Sequence, residues 1–190
     1  MIPGKSSEAV RAPFAGARNL PVSATVDYED GPIALSDNSR GLQYQRWSCL
    51  ISGDDVIIRA LQTGEDYVLF SEAGLSEISF SFDQNALYIC AYVAAGVPKF
   101  RWYDPIAAGY VTTELPAGCV NPRVSLDDKR SEYAPSSDVI LAYVRAGNLY
   151  YRQQRDRYTV EYLWQTGVPA GLVKIGMNRL LRFQFALEAT

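Results

Sequence analysis

Histidine is missing from all 190 residues. Its absence removes Ser-His-Asp and Cys-His nucleophile systems, imidazole zinc sites and the commonest general base near neutral pH. Cysteine is scarce: Cys49, Cys90 and Cys119 are scattered, with no CxxC spacing. Cys49 and Cys90 lie inside apolar runs, where a small buried hydrophobe is expected. An odd count without framework spacing fits assembly in a reducing cytosol. Positive charge is not in excess either. A formal charge of −3 argues against a general nucleic-acid binder, which neutralises phosphates with a basic surplus. No apolar run reaches the roughly 18 residues of a membrane-spanning helix, and the N-terminal segment has no continuous apolar core of a signal peptide. Neither is therefore expected. The glycine-containing stretch 167–171 is too short for a phosphate loop and has no Lys-Ser/Thr partner, and no SxxK motif occurs.

What is present is aromatic and β-favouring. Apolar residues make up 48% of the chain, and 13 tyrosines suit strands and half-wet surfaces, where a ring packs while its hydroxyl stays solvated. Residues 1–40 differ from the remainder. Pro3, Pro13, Pro21 and Pro32 recur among small and polar residues and block helix interiors and regular sheet pairing. An extended N-terminal arm is expected there, with one possible strand at 22–28, ahead of a β-rich domain over 41–190.

From residue 42 onward the pattern predicts strands at 42–51, 56–61, 67–70, 78–82, 87–93, 99–103, 110–114, 123–126, 139–145, 149–154, 158–164, 172–177 and 180–187. Residues 116–122 read as a loop and 129–137 as a polar insertion. No stretch holds i, i+3, i+4 apolar spacing over three turns, so little helix is expected. A repeat is visible. Ala91-Tyr92-Val93-Ala94-Ala95-Gly96 matches Ala142-Tyr143-Val144-Arg145-Ala146-Gly147 at a shift of 51, which carries Phe100-Arg101 onto Tyr151-Arg152. Upstream, Phe80-Ser81-Phe82-Asp83 parallels Val124-Ser125-Leu126-Asp127 at a shift of 44. A fainter copy holds Leu50 and residues 56–64. Each unit reads as four short strands separated by an Asp-containing turn, a Gly turn and a variable turn. The predicted fold class is all-β, with antiparallel meanders resembling β-propeller blades; a β-sandwich or barrel is the alternative.

Three constellations bear on chemistry. Acidic residues at turns (Asp54, Asp55, Asp83, Asp104, Asp127, Asp128) have neither the local density of a calcium loop nor an evident facing pair, and Asx turn formation accounts for them. Arg145, Tyr150, Tyr151, Arg152, Arg155, Arg157 and Tyr158 form a basic, tyrosine-rich stretch. Arg and Tyr are enriched at binding hot spots, so these seven are the candidate protein-interface residues; cross-strand ion pairing is the structural alternative. Trp47, Trp102 and Trp164 lie on three different units, either as packing between them or, if exposed, as sugar-stacking platforms. No catalytic residue, cofactor or metal site is expected.

The phrases 123–130 (RVSLDDKR) and 137–158 (SDVILAYVRAGNLYYRQQRDRY) resemble tailed-bacteriophage virion proteins, specifically tail or neck components with propeller-like blades of the nozzle and collar type. The resemblance covers roughly residues 42–165. It implies a non-enzymatic protein of the virion, assembled in the host cytoplasm as a homo-oligomeric ring around the tail axis and holding neighbouring tail-tube, portal, adaptor or fibre proteins. Nozzle proteins are far longer, so a small collar, adaptor or fibre-attachment subunit is the role implied, with the arm (residues 1–40) and the Arg/Tyr-rich stretch expected to make the contacts of the ring. Two rival readings accompany it: a glycan-binding module using Trp102 or Trp164, and a carboxylate hydrolase using Asp83 and Asp127.

Overall fold

A computed structural model describes residues 33–34, 45–61, 63–83, 85, 87–126, 138–168, 172–177 and 183–187. Nearly all of the expected arm, and the insertion at 129–137, lie outside them. The described residues are all-β, in antiparallel sheets whose strands follow chain order. Sheet I comprises β1 (Ile33–Ala34), β2 (Gln45–Ser52), β3 (Asp55–Ala60) and β4 (Asp66–Ser71). Sheet II comprises β5 (Leu75–Phe82), β6 (Tyr88–Ala94), β7 (Val97–Asp104) and β8 (Gly109–Glu114). Sheet III comprises β9 (Cys119–Leu126), β10 (Val139–Arg145), β11 (Asn148–Gln153) and β12 (Tyr162–Thr166). A fourth sheet has two strands among the described residues, β13 (Leu172–Met177) and β14 (Phe183–Leu187). Among the same residues no helix is long and apolar enough to cross a membrane.

The repeat read from the sequence is a repeat of register. Leu50 pairs with Ile57, Tyr92 with Lys99 and Tyr143 with Tyr150, each at the same distance from its hairpin. Phe80 pairs with Cys90 as Val124 pairs with Leu141, which carries the second sequence match into space. The hairpins are built alike in sheets II and III. Ala95-Gly96 and Ala146-Gly147 both have two successive positive φ angles (49° and 78°; 49° and 70°), the pattern of a type I′ turn, whose twist matches the flanking strands. In the matching β2–β3 hairpin of sheet I only Gly53 is positive (64°), the II′ pattern.

The sheets pack face to face in chain order: β2 lies against β5, β5 and β6 against β9, and β9 and β10 against β13. Sheets II and III are therefore covered on both faces, which explains why β6 (YICAYVA) and β10 (VILAYVR) are almost continuously apolar. Period-2 alternation divides each strand between two cores. Tyr88, Cys90, Tyr92 and Ala94 meet Val56 and Ile58 of sheet I, while Ile89 and Ala91 turn to sheet III. Val139, Leu141 and Tyr143 meet sheet II with Phe100 and Trp102, while Ala142, Val144 and Leu149 pack with Val168 and Ile175 of the last layer. Full burial of side chains such as Leu141 and Leu149 stabilises by about 1.5–3 kcal/mol each. Ser79 stitches the first strands together: its hydroxyl accepts from Val124 N at 3.0 Å, satisfying a buried amide of β9.

Two strand assignments change. Residues 116–122 are not all loop, because β9 starts at Cys119, with a bulge opposite Tyr143 that Asn121 enters at φ 51°. Residues 158–161 are not strand. A 3-10 turn, η1 (Gln154–Asp156), is followed by Arg157 and Tyr158 with φ of 51° and 57°, and β12 begins only at Tyr162.

Candidate interaction face

The seven candidate residues do not share one face. Strand alternation sends Tyr150 and Arg152 to the side of sheet III that looks back at sheet II, and Tyr151 to the opposite side. The first group gathers on a glutamate. Glu161, just before β12, accepts from Arg145 at 2.5 Å and from Arg152 at 3.5 Å, and takes a hydrogen bond from the Tyr143 hydroxyl. Arg152 Nε donates to that hydroxyl at 2.9 Å, and Arg152 Nη1 to the Tyr158 carbonyl at 3.1 Å. The Arg145 guanidinium lies over the Tyr150 ring, 4.7 Å from its centre.

Burial pushes the Glu161 carboxyl toward the neutral form, but the Tyr143 hydrogen bond and the charges of Arg145 and Arg152 outweigh it and hold its pKa below the ordinary value. The Tyr143 hydroxyl moves the other way: burial, then its bond to Glu161, raises it. Sheet II carries a counterpart. Tyr92, at the register position of Tyr143, donates to Glu72 at 2.7 Å, and Lys99 pairs with the same carboxylate at 2.7 Å. A buried tyrosine held by a glutamate and a cation is thus a repeated element of the seams.

Around η1 the remaining cations face carboxylates of turns. Arg155 pairs with Asp138 inside the same sheet, and Arg157 with Asp104 of sheet II at 2.6 Å. Gln154 Nε2 donates to Asp83 Oδ2, also of sheet II, at 3.0 Å. The same two aspartates hold their own turns. Asp83 accepts from the amides of Asn85 and Leu87 at 2.8 and 3.0 Å, and Asp104 from Ile106 N at 2.9 Å. The Asx-turn reading therefore holds at both positions, and η1 adds a second function, docking sheet III onto sheet II. Asp127 and Asp128 lie outside the described residues.

Tyr158 is a core residue. It is 2% exposed, its ring meets Phe100 and Trp102 edge-on at 4.9 and 5.1 Å, and its hydroxyl donates to the Val139 carbonyl at 3.2 Å. Its left-handed backbone turns the ring inward, which a β-like sequence pattern does not signal. Trp102, at 4% exposure, is also core and offers no sugar platform. Tyr151 stands on the far face of sheet III, stacked on Tyr162 at 5.0 Å and edge-on to Trp164 at 5.9 Å. Trp164 is 56% exposed. Of this aromatic strip the seven candidate interface residues include Tyr151 but neither Tyr162 nor Trp164.

No family model matches the chain, and no curated protein or solved structure is significantly similar to it. Chemistry at the face is limited by its own pairing: the guanidinium groups of Arg145, Arg152 and Arg157 are engaged with carboxylates of the chain. Arg157 and Gln154 dock sheet III on sheet II, and Glu161 ties β10, β11 and the start of β12 together within sheet III.

Proposed function

We propose that this chain is a non-enzymatic structural subunit of a bacteriophage tail or head–tail junction, of collar, adaptor or fibre-attachment type. In this reading each four-stranded meander is a propeller-like blade, and the protein assembles as a homo-oligomeric ring with other virion proteins in the host cytoplasm. Besides the likeness of residues 123–130 and 137–158 to tail and neck proteins, one observation carries the reading. Three successive meanders of matching register bury each other's faces, and at the seam of sheets II and III Arg157 and Gln154 reach across to Asp104 and Asp83, while Glu161 gathers Arg145 and Arg152 within sheet III. A chain built this way spends its polar groups on rigidity and acts through its surfaces.

The test is to raise an antibody against the purified chain and apply it to purified virions of a phage encoding it. Gold label at the tail or neck, with the chain present in the virion by mass spectrometry, is the expected result. A chain found only in infected-cell lysate and never in particles defeats the reading. The exposed strip of Trp164, Tyr151 and Tyr162 favours glycan recognition as a second reading, since aromatic faces stack on sugars. A glycan-array signal lost in Trp164→Ala would establish that one instead.

A further inference from the structure

The repeat of sheets leaves a surface at its start whose equivalents further along are covered. Tyr92 and Tyr143 are both completely buried beneath the sheet that precedes them. Leu50 holds the same register position in sheet I, and no described sheet precedes it. Cross-strand pairing extends Leu50 into a row, Leu50–Ile57–Val68, on the face turned away from sheet II. Val68 is 59% exposed. The row has a polar border: Arg59 grips Asp66 with two hydrogen bonds of 2.7 and 2.8 Å on one side, and Ser71 donates to Asp55 on the other. An apolar centre inside a polar rim is the anatomy of a protein contact.

The other end is incomplete in the complementary sense. Phe100 of sheet II is buried because Tyr158, from the outer half of the next unit, lies on it. Tyr151 is its equivalent in sheet III, and the next layer has only β13 and β14 among the described residues. The strip of Tyr151, Tyr162 and Trp164 thus sits where the outer half of a further unit would pack.

We propose that two copies of this chain associate head to tail, the Leu50–Ile57–Val68 face of one seating on the Tyr151–Tyr162–Trp164 strip of the next. The contact continues between chains the sheet-on-sheet seam that recurs within each. It is heterologous, so it closes into a ring or propagates. The inference rests on the structural-subunit reading but fails separately from it: virion labelling tests that role, and self-association of the purified chain tests this one.

The experiment measures mass in solution by light scattering over a wide concentration range, for the full chain, Val68→Glu and Trp164→Glu. Wild type is expected to associate, and each variant to be monomeric with an unchanged circular dichroism spectrum. An equimolar mixture of the variants then yields a dimer and nothing larger, because one retains its strip and the other its first face. A monomeric wild type overturns the proposal. So does assembly that Val68→Glu abolishes and Trp164→Glu leaves intact, which would mean that two first faces meet each other. Should either variant misfold, Val68→Cys and Trp164→Cys chains mixed with a short bifunctional thiol reagent give the independent reading. Joining of the two chains above the wild-type background supports the contact, and background-level joining rejects it.

Discussion

Ala95 and Ala146 occupy backbone that their side chains disfavour. Each opens its I′ turn at φ 49°, where an ordinary L-residue costs roughly 1–2 kcal/mol and asparagine is far better tolerated. Ala95→Asn and Ala146→Asn should each stabilise the protein by up to about 1 kcal/mol, read as a higher urea midpoint at unchanged slope. Lower midpoints would mean that the alanine methyls contribute packing that outweighs the strain. Glu161 gives the pH counterpart. Its pKa is depressed in the fold, so its contribution is complete above the unfolded value of about 4.3 and is lost as pH falls through the folded value. Glu72 is shifted in the same direction, with the same sign of effect. Glu161→Gln should cost about 1–3 kcal/mol at neutral pH, the scale of charge-assisted hydrogen bonds, and should flatten the loss of stability below pH 4.3. Denaturant melts of both proteins at several pH values check this; parallel curves would remove Glu161 from the acid response.

At the scale of the element, most strands were legible because the residues facing each core alternate cleanly. Ile78, Phe80 and Phe82 are apolar while Ser79 and Ser81 are small and polar, and β5 covers them all. The three matched hairpins were legible for a different reason: a glycine turn separates the apolar runs, and Gly53-Asp54, Ala95-Gly96 and Ala146-Gly147 form two-residue loops with positive φ. The polar turn at 155–157 was legible, but the course of residues 158–161 was not. Tyr158, Val160 and Tyr162 have the composition of a strand, yet left-handed φ angles at Arg157 and Tyr158 bend the chain so that Tyr158 fills a tertiary hole above Phe100 and Trp102. For the same reason the basic, tyrosine-rich stretch looked like one face. Its partners, Glu161, Asp138 and Asp104, are separated from it in sequence or lie on another sheet, and only packing brings them together. The doubly covered strands make a prediction at this scale. Ala91 and Ala142 are fully buried at equivalent positions between layers. Ala91→Leu should therefore overpack the seam between sheets II and III at a cost of about 1–3 kcal/mol, measured by equilibrium unfolding. A neutral result would show slack in that seam.

For the whole molecule, the serial order of layers decides how stability is distributed. Each sheet gains its buried area from its neighbours in chain order, the situation in which local unit stability and nearest-neighbour interfaces set the behaviour of an array. Sheets II and III have a neighbour on both faces, whereas sheet I has one described neighbour. The outer strands β4, β8 and β12 are largely exposed. Amide hydrogen exchange should therefore be slowest in β6, β9 and β10 and fastest in β4, β8 and β12. Leu141→Ala removes side-chain volume from the seam between sheets II and III, at a cost of about 2–5 kcal/mol. Nearest-neighbour coupling predicts that it speeds exchange most in β6, β7, β9, β10 and β11, and much less in the β2–β3 hairpin of sheet I. Equal acceleration everywhere would mean that the layers unfold as one cooperative unit. In that case the internal repeat records how the strands are arranged without dividing the stability, and the end faces would be as firmly held as the centre.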